Sequence, residues 1–298
     1  MGTFIGHALP GTFFFAFGLW CAIKYCYRLI RKGATSKGKS SEPAAASRWK
    51  RLLGKILRRD RESEFWEGIV IICMWIIGFI AELPPTGSFP YRHWQMFDHS
   101  VEGKPFVWGN KWQHATMYTF FGIYGLALLL ARTCVRGLRA YEKVFLAMAF
   151  FVEGVLFYFH VHGRSELDIT VHYMLVITIF INFASTTAEI WMRDDALLPF
   201  ITTCFMMVQG TWFWQAAFIL YPPNGVKWDE DSHANIMFAT MAYCWHIAAS
   251  IFIIAGVYGV VSLCLRSKGI YSVPYAHVDG NDEEETHFSL VENASDDH

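Results

Sequence analysis

Seven stretches of this sequence run for about twenty predominantly apolar residues, the length an α-helix needs to cross the hydrocarbon core of a bilayer. They lie at 8–29, 67–82, 112–132, 138–159, 169–191, 196–220 and 235–265. Backbone amides in lipid must be satisfied within their own segment. The pattern therefore predicts an all-α, polytopic membrane protein, a seven-transmembrane-helix bundle. Composition agrees, with 54% of the 298 residues hydrophobic and 17% aromatic, above the usual load of a soluble domain. The formal net charge is −1, so overall charge names no partner and gives no sign of nucleic-acid binding. The first apolar run lacks a basic flank and a cleavage pattern, and reads as a span that stays rather than a removed signal peptide.

Orientation follows from Lys and Arg in the short loops. Arg28, Arg31, Lys32, Lys50, Arg51, Lys55, Arg58 and Arg59 lie between the first two spans; Arg132, Arg136 and Arg139 follow the third; Arg266 and Lys268 follow the seventh. All belong on one side, which predicts a lumenal or extracellular N-terminus and a cytoplasmic C-terminus. The resulting division is a first span at 1–32, a cytoplasmic linker at 33–63, six further spans at 64–266, and an acidic, disordered cytoplasmic tail at 267–298. Within the linker, Trp49, Leu52, Leu53, Ile56 and Leu57 recur at helical spacing, opposite Lys50, Arg51, Lys55, Arg58 and Arg59. Residues 49–59 thus read as an amphipathic helix lying on anionic cytoplasmic-leaflet lipids; a calmodulin-target helix is the alternative. The acceptor pattern at Asn293 falls in the cytoplasmic tail, where it would not be glycosylated. None of the seven Cys falls in an outside loop, so no disulfide framework is expected. A homodimer through the apolar bundle surface stays open, with no GxxxG seam pointing to it.

Ionisable residues at membrane depth mark functional sites by default, and here they gather around 153–175, EGVLFYFHVHGRSELDITVHYML. Glu153 and His160 stand two helical turns apart on one face of the fourth span. His162 and Arg164 occupy the turn, and His172 opens the fifth span. With the predicted topology, His7, Glu82 and His114 reach the same outer end, while His246 and Gln209 lie deeper. Trp212 and Gln215 lie along the sixth span and extend the candidate cavity lining formed by His7, Glu82 and Gln209.

Three functions compete. In the first, His114, His160, His162, His172, His246 and Glu153 hold a transition metal, zinc first and iron or copper next. The protein would then be a metal-dependent hydrolase or oxidoreductase acting on a lipid or small amphiphile. Glu153 is its candidate catalytic residue, as ligand or general base. His160 and His162 serve one centre only if the helix ends near His160. The second is a proton-coupled or metal transporter relaying protons through Glu153, His172 and His246. The third is a structural or scaffolding membrane protein, its His and Glu acting as interhelical glue. Whether the chain is an enzyme is left undecided. On the cytoplasmic side the polar residues read as structural, with Glu189 pairing with Arg193 one turn on.

Five motifs, GHALPGTFFF, WQHATMY, EGVLFYFHVHGRSELDITVH, QGTWFWQAAFILYPP and CWH, together resemble the transmembrane protein 45 family in order and over most of the chain. The resemblance implies a multispan membrane protein of the secretory and endolysosomal system, often placed at the Golgi. It carries His7, His114, Glu153, His160, His162, His172 and His246 as motif positions and assigns them no catalytic role. The linker and the acidic tail fall outside it.

Overall fold

The long apolar runs form helices, and the short polar breaks between them turn the chain back. A computed structural model describes residues 3–36, 45–83, 94–161 and 163–267, giving the backbone alone for 31–62 and 266–267. The elements are α1 (Phe4–Ser36), α2 (Ala45–Glu82), α3 (Gly109–Thr133), a 3₁₀ turn (Arg136–Ala140), α4 (Glu142–Phe159), α5 (Glu166–Trp191), α6 (Leu197–Leu220) and α7 (His233–Ser267). Among the described residues the sole β pairing is an isolated bridge between Phe97 and Phe106.

Residues through Val261 make one compact unit, which contains every contact described below; of Ser262–His298 only the end of α7 is described. His162, Pro84, Pro85 and the acidic tail lie outside the described residues, as do the side chains of the 49–59 segment.

Within the unit α1 packs on α6, α2 on α3, α4 on both α3 and α5, and α5 on α6. The short α4–α5 and α5–α6 connections make those helices antiparallel neighbours. The core is built from Phe150, Leu167, Leu175, Ile179, Met206 and Trp212. Helix α7 joins through the Tyr243 hydroxyl, 2.7 Å from Thr178 Oγ1. Close α1–α6 contact depends on Gly210, where a Cβ would stand 2.3 Å from the Phe15 nitrogen.

Polarity is distributed as a membrane bundle requires. Trp66, Trp245, Phe252 and Val260 point outward, each more than 60% exposed, while Glu153, His172, Asn182 and Gln209 are each at most 2% exposed. An apolar exterior over a polar interior is stable only against lipid. Among the described residues six helices are long and apolar enough to cross a membrane: Phe4–Ile30, Ser63–Glu82, Gly109–Thr133, Glu166–Trp191, Leu197–Leu220 and His233–Leu265. The count of seven spans is therefore not reached. Helix α4 has 18 residues, among them the ionisable Glu142, Lys143 and Glu153, and falls short.

Two other expectations change. The linker helix is not a separate element, because α2 runs unbroken through it into the second span. No proline interrupts that run, and nothing in Arg58 to Glu64 stops a helix. Glu189 pairs with Lys143 at 2.6 Å, not with Arg193; Arg193 instead donates from Nε to the Ile190 carbonyl at 3.3 Å. Among the described residues no cysteine forms a disulfide.

Candidate functional site

The histidine end is built by the turn between α4 and α5. Helix α4 stops at Phe159, and His160 keeps helical geometry while its N–H bonds the Phe157 carbonyl at 3.1 Å. Gly163 takes a φ of 77°, a left-handed conformation that costs glycine least. Ser165 then caps α5, its hydroxyl accepting from the Asp168 amide at 3.4 Å, with Glu166 and Asp168 in the positive first turn.

Arg164 ties this turn together. Its Nε donates to the His160 carbonyl at 3.0 Å, and its Nη1 donates to Asp168 Oδ2 at 2.9 Å. Its Nη2 stands 2.6 Å from His160 Nε2. A guanidinium only donates, so His160 Nε2 must accept. The ring proton therefore sits on His160 Nδ1, which donates to Gln113 Oε1 at 2.9 Å. His172 Nδ1 lies 2.7 Å from Asp168 Oδ1, His114 Nδ1 lies 3.1 Å from Glu82 Oε1, and His7 Nδ1 donates to the Thr3 carbonyl at 3.1 Å.

The four rings form a contiguous patch. Centroids are 5.2 Å apart for His114 and His160, 5.7 Å for His160 and His172, and 5.8 Å for His172 and His7. Phe157, one turn before His160, closes the patch from below. Its ring lies 6.5, 6.0 and 6.1 Å from those of His114, His160 and His172. The histidines thus pack on one another and on Phe157, where the sequence suggested an open cavity.

Glu153 belongs to a second group, one turn deeper on α4. Gln209 Nε2 lies 2.9 and 3.0 Å from its two oxygens, and Gln209 Oε1 accepts from Asn182 Nδ2 at 2.9 Å. The line continues along α5 and α6. Ser185 Oγ is 3.3 Å from the Asn182 carbonyl, Thr202 Oγ1 is 2.8 Å from Ser185 Oγ, and Glu189 Oε1 is 2.7 Å from Thr202 Oγ1. Asn182 Oδ1 and Thr186 Oγ1 are buried beside this line without a partner among the described residues.

At the far end the line meets a cavity of about 510 Å³ walled by α1 to α6. Ion pairs rim it. Lys24 holds Glu67 at 2.6 Å, Arg132 holds both Glu64 at 2.6 Å and Glu142 at 2.5 Å, and Lys143 holds Glu189 at 2.6 Å.

The predicted metal set is brought together only in part: His114, His160 and His172 adjoin one another, Glu153 lies deeper, and His162 lies outside the described residues. His246 lies apart, its ring 5.5 Å from that of Trp212. Trp212 donates to the Val171 carbonyl at 2.9 Å and acts as an α5–α6 tie. Gln215 is half-buried and makes none of the cluster's hydrogen bonds. Both ring nitrogens of His160 are engaged, one by a permanent cation, which is poor company for a metal ion. Among the described residues no group of three His, Cys, Asp or Glu is placed to hold a metal. Asp168, Gln113, Asn182 and Thr202 join the site from outside the candidate set. Asn182 was open to detection, since a carboxamide inside an apolar run meets the same depth criterion as Glu153.

Polar core, apolar exterior and helices of spanning length define a polytopic α-helical membrane protein. Residues 139–259, from the 3₁₀ turn into α7, match a family described as "Family of unknown function (DUF716)". The chain is 28% identical over 279 residues to transmembrane epididymal protein 1 of Rattus norvegicus, covering 89% of this chain and 83% of that protein. It is 27% identical over 270 residues to transmembrane epididymal protein 1A of Mus musculus, again covering 89% and 83%. The human transmembrane epididymal protein 1 aligns over 166 residues at 28% identity, covering 54% of this chain and 61% of that protein. These similarities support a multispan membrane family and do not single out transmembrane protein 45. Glu153, His160, His172, Gln209 and His246 lie inside the 139–259 match, whereas His7, Glu82 and His114 lie outside it.

Proposed function

We propose that this chain is a proton-coupled membrane carrier. The observation that carries the reading is the line of polar contacts from Glu189, on the wall of the 510 Å³ cavity, through Thr202, Ser185, Asn182 and Gln209 to Glu153. A buried carboxylate at the end of such a line is the usual station for a proton in a membrane protein. The cavity would admit solute at one end, and the packed histidine rings with Phe157 would close the other. In this reading α4 is a seventh span, packed on α3 and α5 and turning Met148, Phe151 and Tyr158 outward. The cavity faces the cytoplasm, following the Arg and Lys of its rim, and the N-terminus is lumenal or extracellular. A Golgi or endolysosomal membrane, acid on its lumenal side, would supply the proton gradient.

Proteoliposomes loaded with a pH-sensitive dye, under an imposed pH gradient, test the reading. Proton entry is expected with the native chain and is expected to be lost in Glu153→Gln. Flux that is absent in the native chain, or equal in both, rules it out.

A metal-dependent enzyme is the second reading, favoured by one feature. His7, His114 and His172 each anchor Nδ1 on an oxygen, the arrangement that aims Nε2 of a ligating imidazole. Zinc, iron or copper bound there would polarise a water or a lipid carbonyl. Elemental analysis of purified protein decides it: metal lost in His172→Ala supports the site, and metal-free protein excludes it.

A further inference from the structure

The ion-pair cavity has a chemistry of its own, separate from the histidine end. We propose that it binds an amphiphile with one anionic head, a carboxylate or phosphate, and a hydrocarbon tail. At about 510 Å³ the cavity is within the size range of small-molecule sites. Phe17, Leu128, Leu146 and Met206 line it with apolar surface, which suits a tail and not a small polar solute.

The sign of the head follows from which rim charges are already matched. Four of the five lining carboxylates are held by a cation, and Asp195 by backbone amides. Glu67 has Lys24, Glu64 and Glu142 share Arg132, Glu189 has Lys143, and Asp195 accepts from the Leu197 amide at 2.6 Å. Two lining cations have backbone partners only. Arg139 donates from Nε to the Ala131 carbonyl at 3.1 Å, and Arg193 from Nε to the Ile190 carbonyl at 3.3 Å. Among the described residues neither guanidinium meets a carboxylate. Their Nη groups remain as a donor surplus, in the fork geometry that suits carboxylate and phosphate oxygens. One lining acid, Asp195, also lacks a cation, but its Oδ1 is taken up by the Leu197 and Leu198 amides, so two guanidiniums stand against one occupied carboxylate and the surplus is positive. That this amphiphile is cargo rests on the carrier reading; that it binds does not.

The test uses the full chain in nanodiscs of phosphatidylcholine, with radiolabelled oleate as probe and its methyl ester as control. Saturable oleate binding is expected, at least tenfold tighter than the ester. Arg139→Ala combined with Arg193→Ala is expected to weaken oleate at least tenfold. Both arginines are exposed, so this variant is expected to keep the native Tm. A conservative double change to Lys should restore part of the affinity. Doping the nanodiscs with phosphatidylserine separates the sources. Displacement of oleate assigns the site to bilayer lipid headgroups, and no displacement assigns it to monomeric amphiphile. Equal binding of acid and ester, or an unaffected double Ala variant, overturns the proposal. Oleate binding without proton-driven flux would retain this site and remove the carrier; flux without oleate binding would do the reverse.

Discussion

The Gln209 side-chain amide spans both oxygens of Glu153, at 2.9 and 3.0 Å, inside a core where neither residue is more than 2% exposed. The carboxylate has no basic side chain within hydrogen-bonding reach among the described residues, so a neutral amide is what holds it. This gives the first prediction. Glu153→Ala strands the Gln209 donors and should cost about 1–3 kcal/mol. Glu153→Leu with Gln209→Leu removes both partners and should cost less than Glu153→Ala alone. Thermal unfolding of the three proteins in one detergent checks this, and equal losses in the two variants would refute the pairing.

Arg164 makes its contacts through three different nitrogens, to the His160 carbonyl, to Asp168 and to His160 Nε2. A lysine ammonium has one nitrogen and cannot reproduce that fork. Arg164→Lys should therefore destabilise nearly as much as Arg164→Ala, by about 1.5–3 kcal/mol as hydrogen bonds to charged groups are lost. Tm measurements on the two variants settle it; full rescue by lysine would argue against the fork.

Gly210 faces backbone rather than a flexible side chain, with Phe15 N at 2.3 Å and Phe15 Cα at 2.7 Å from an added Cβ. Helix α1 would have to move away from α6. Gly210→Ala should cost about 1–3 kcal/mol through overpacking. Gly256→Ala, where nothing lies within 4 Å, should leave Tm unchanged. If both substitutions behave alike, close α1–α6 approach is not the reason for Gly210.

Much of this architecture was readable from the chain because apolar length is a local property. The spans begin and end within a few residues of where the runs do. Reversing direction at each polar break sufficed to bring His7, Glu82, His114, His160 and His172 to one end. What stayed hidden depends on which helix faces which. Lys24 and Glu67 are 43 residues apart and meet only after assembly; in sequence each is an ordinary charge near a span end. Glu189 has Arg193 one turn away, so local spacing suggested a pair that the approach of α4 replaces with Lys143. Helix α7 is apolar all round, and without a polar stripe its inward face cannot be read. That is why His246 was grouped with histidines it does not touch. The continuity of α2 was missed because a change of composition at the membrane boundary resembles a change of element.

Phe157 separates the two polar groups and carries the last prediction. Its ring contacts those of His114, His160 and His172, while Glu153 lies one turn below it on the same helix. No hydrogen bond among the described residues crosses that layer. For the carrier reading, this break is what keeps the histidine end from being in continuous proton exchange with Glu153. Phe157→Ala removes a ring that is 4% exposed and should cost about 3–5 kcal/mol if the void does not collapse. Phe157→Leu keeps most of the apolar volume at a smaller loss. The two should differ in leak more than in fold. In dye-loaded liposomes, Phe157→Ala is expected to pass protons without saturation by any solute, as water enters beside Glu153. Phe157→Leu should stay close to the native rate. A leak equally large in both would mean that aromatic stacking on the imidazoles, and not bulk, makes the seal. Absence of leak in a folded Phe157→Ala protein would show that the barrier lies elsewhere along α4.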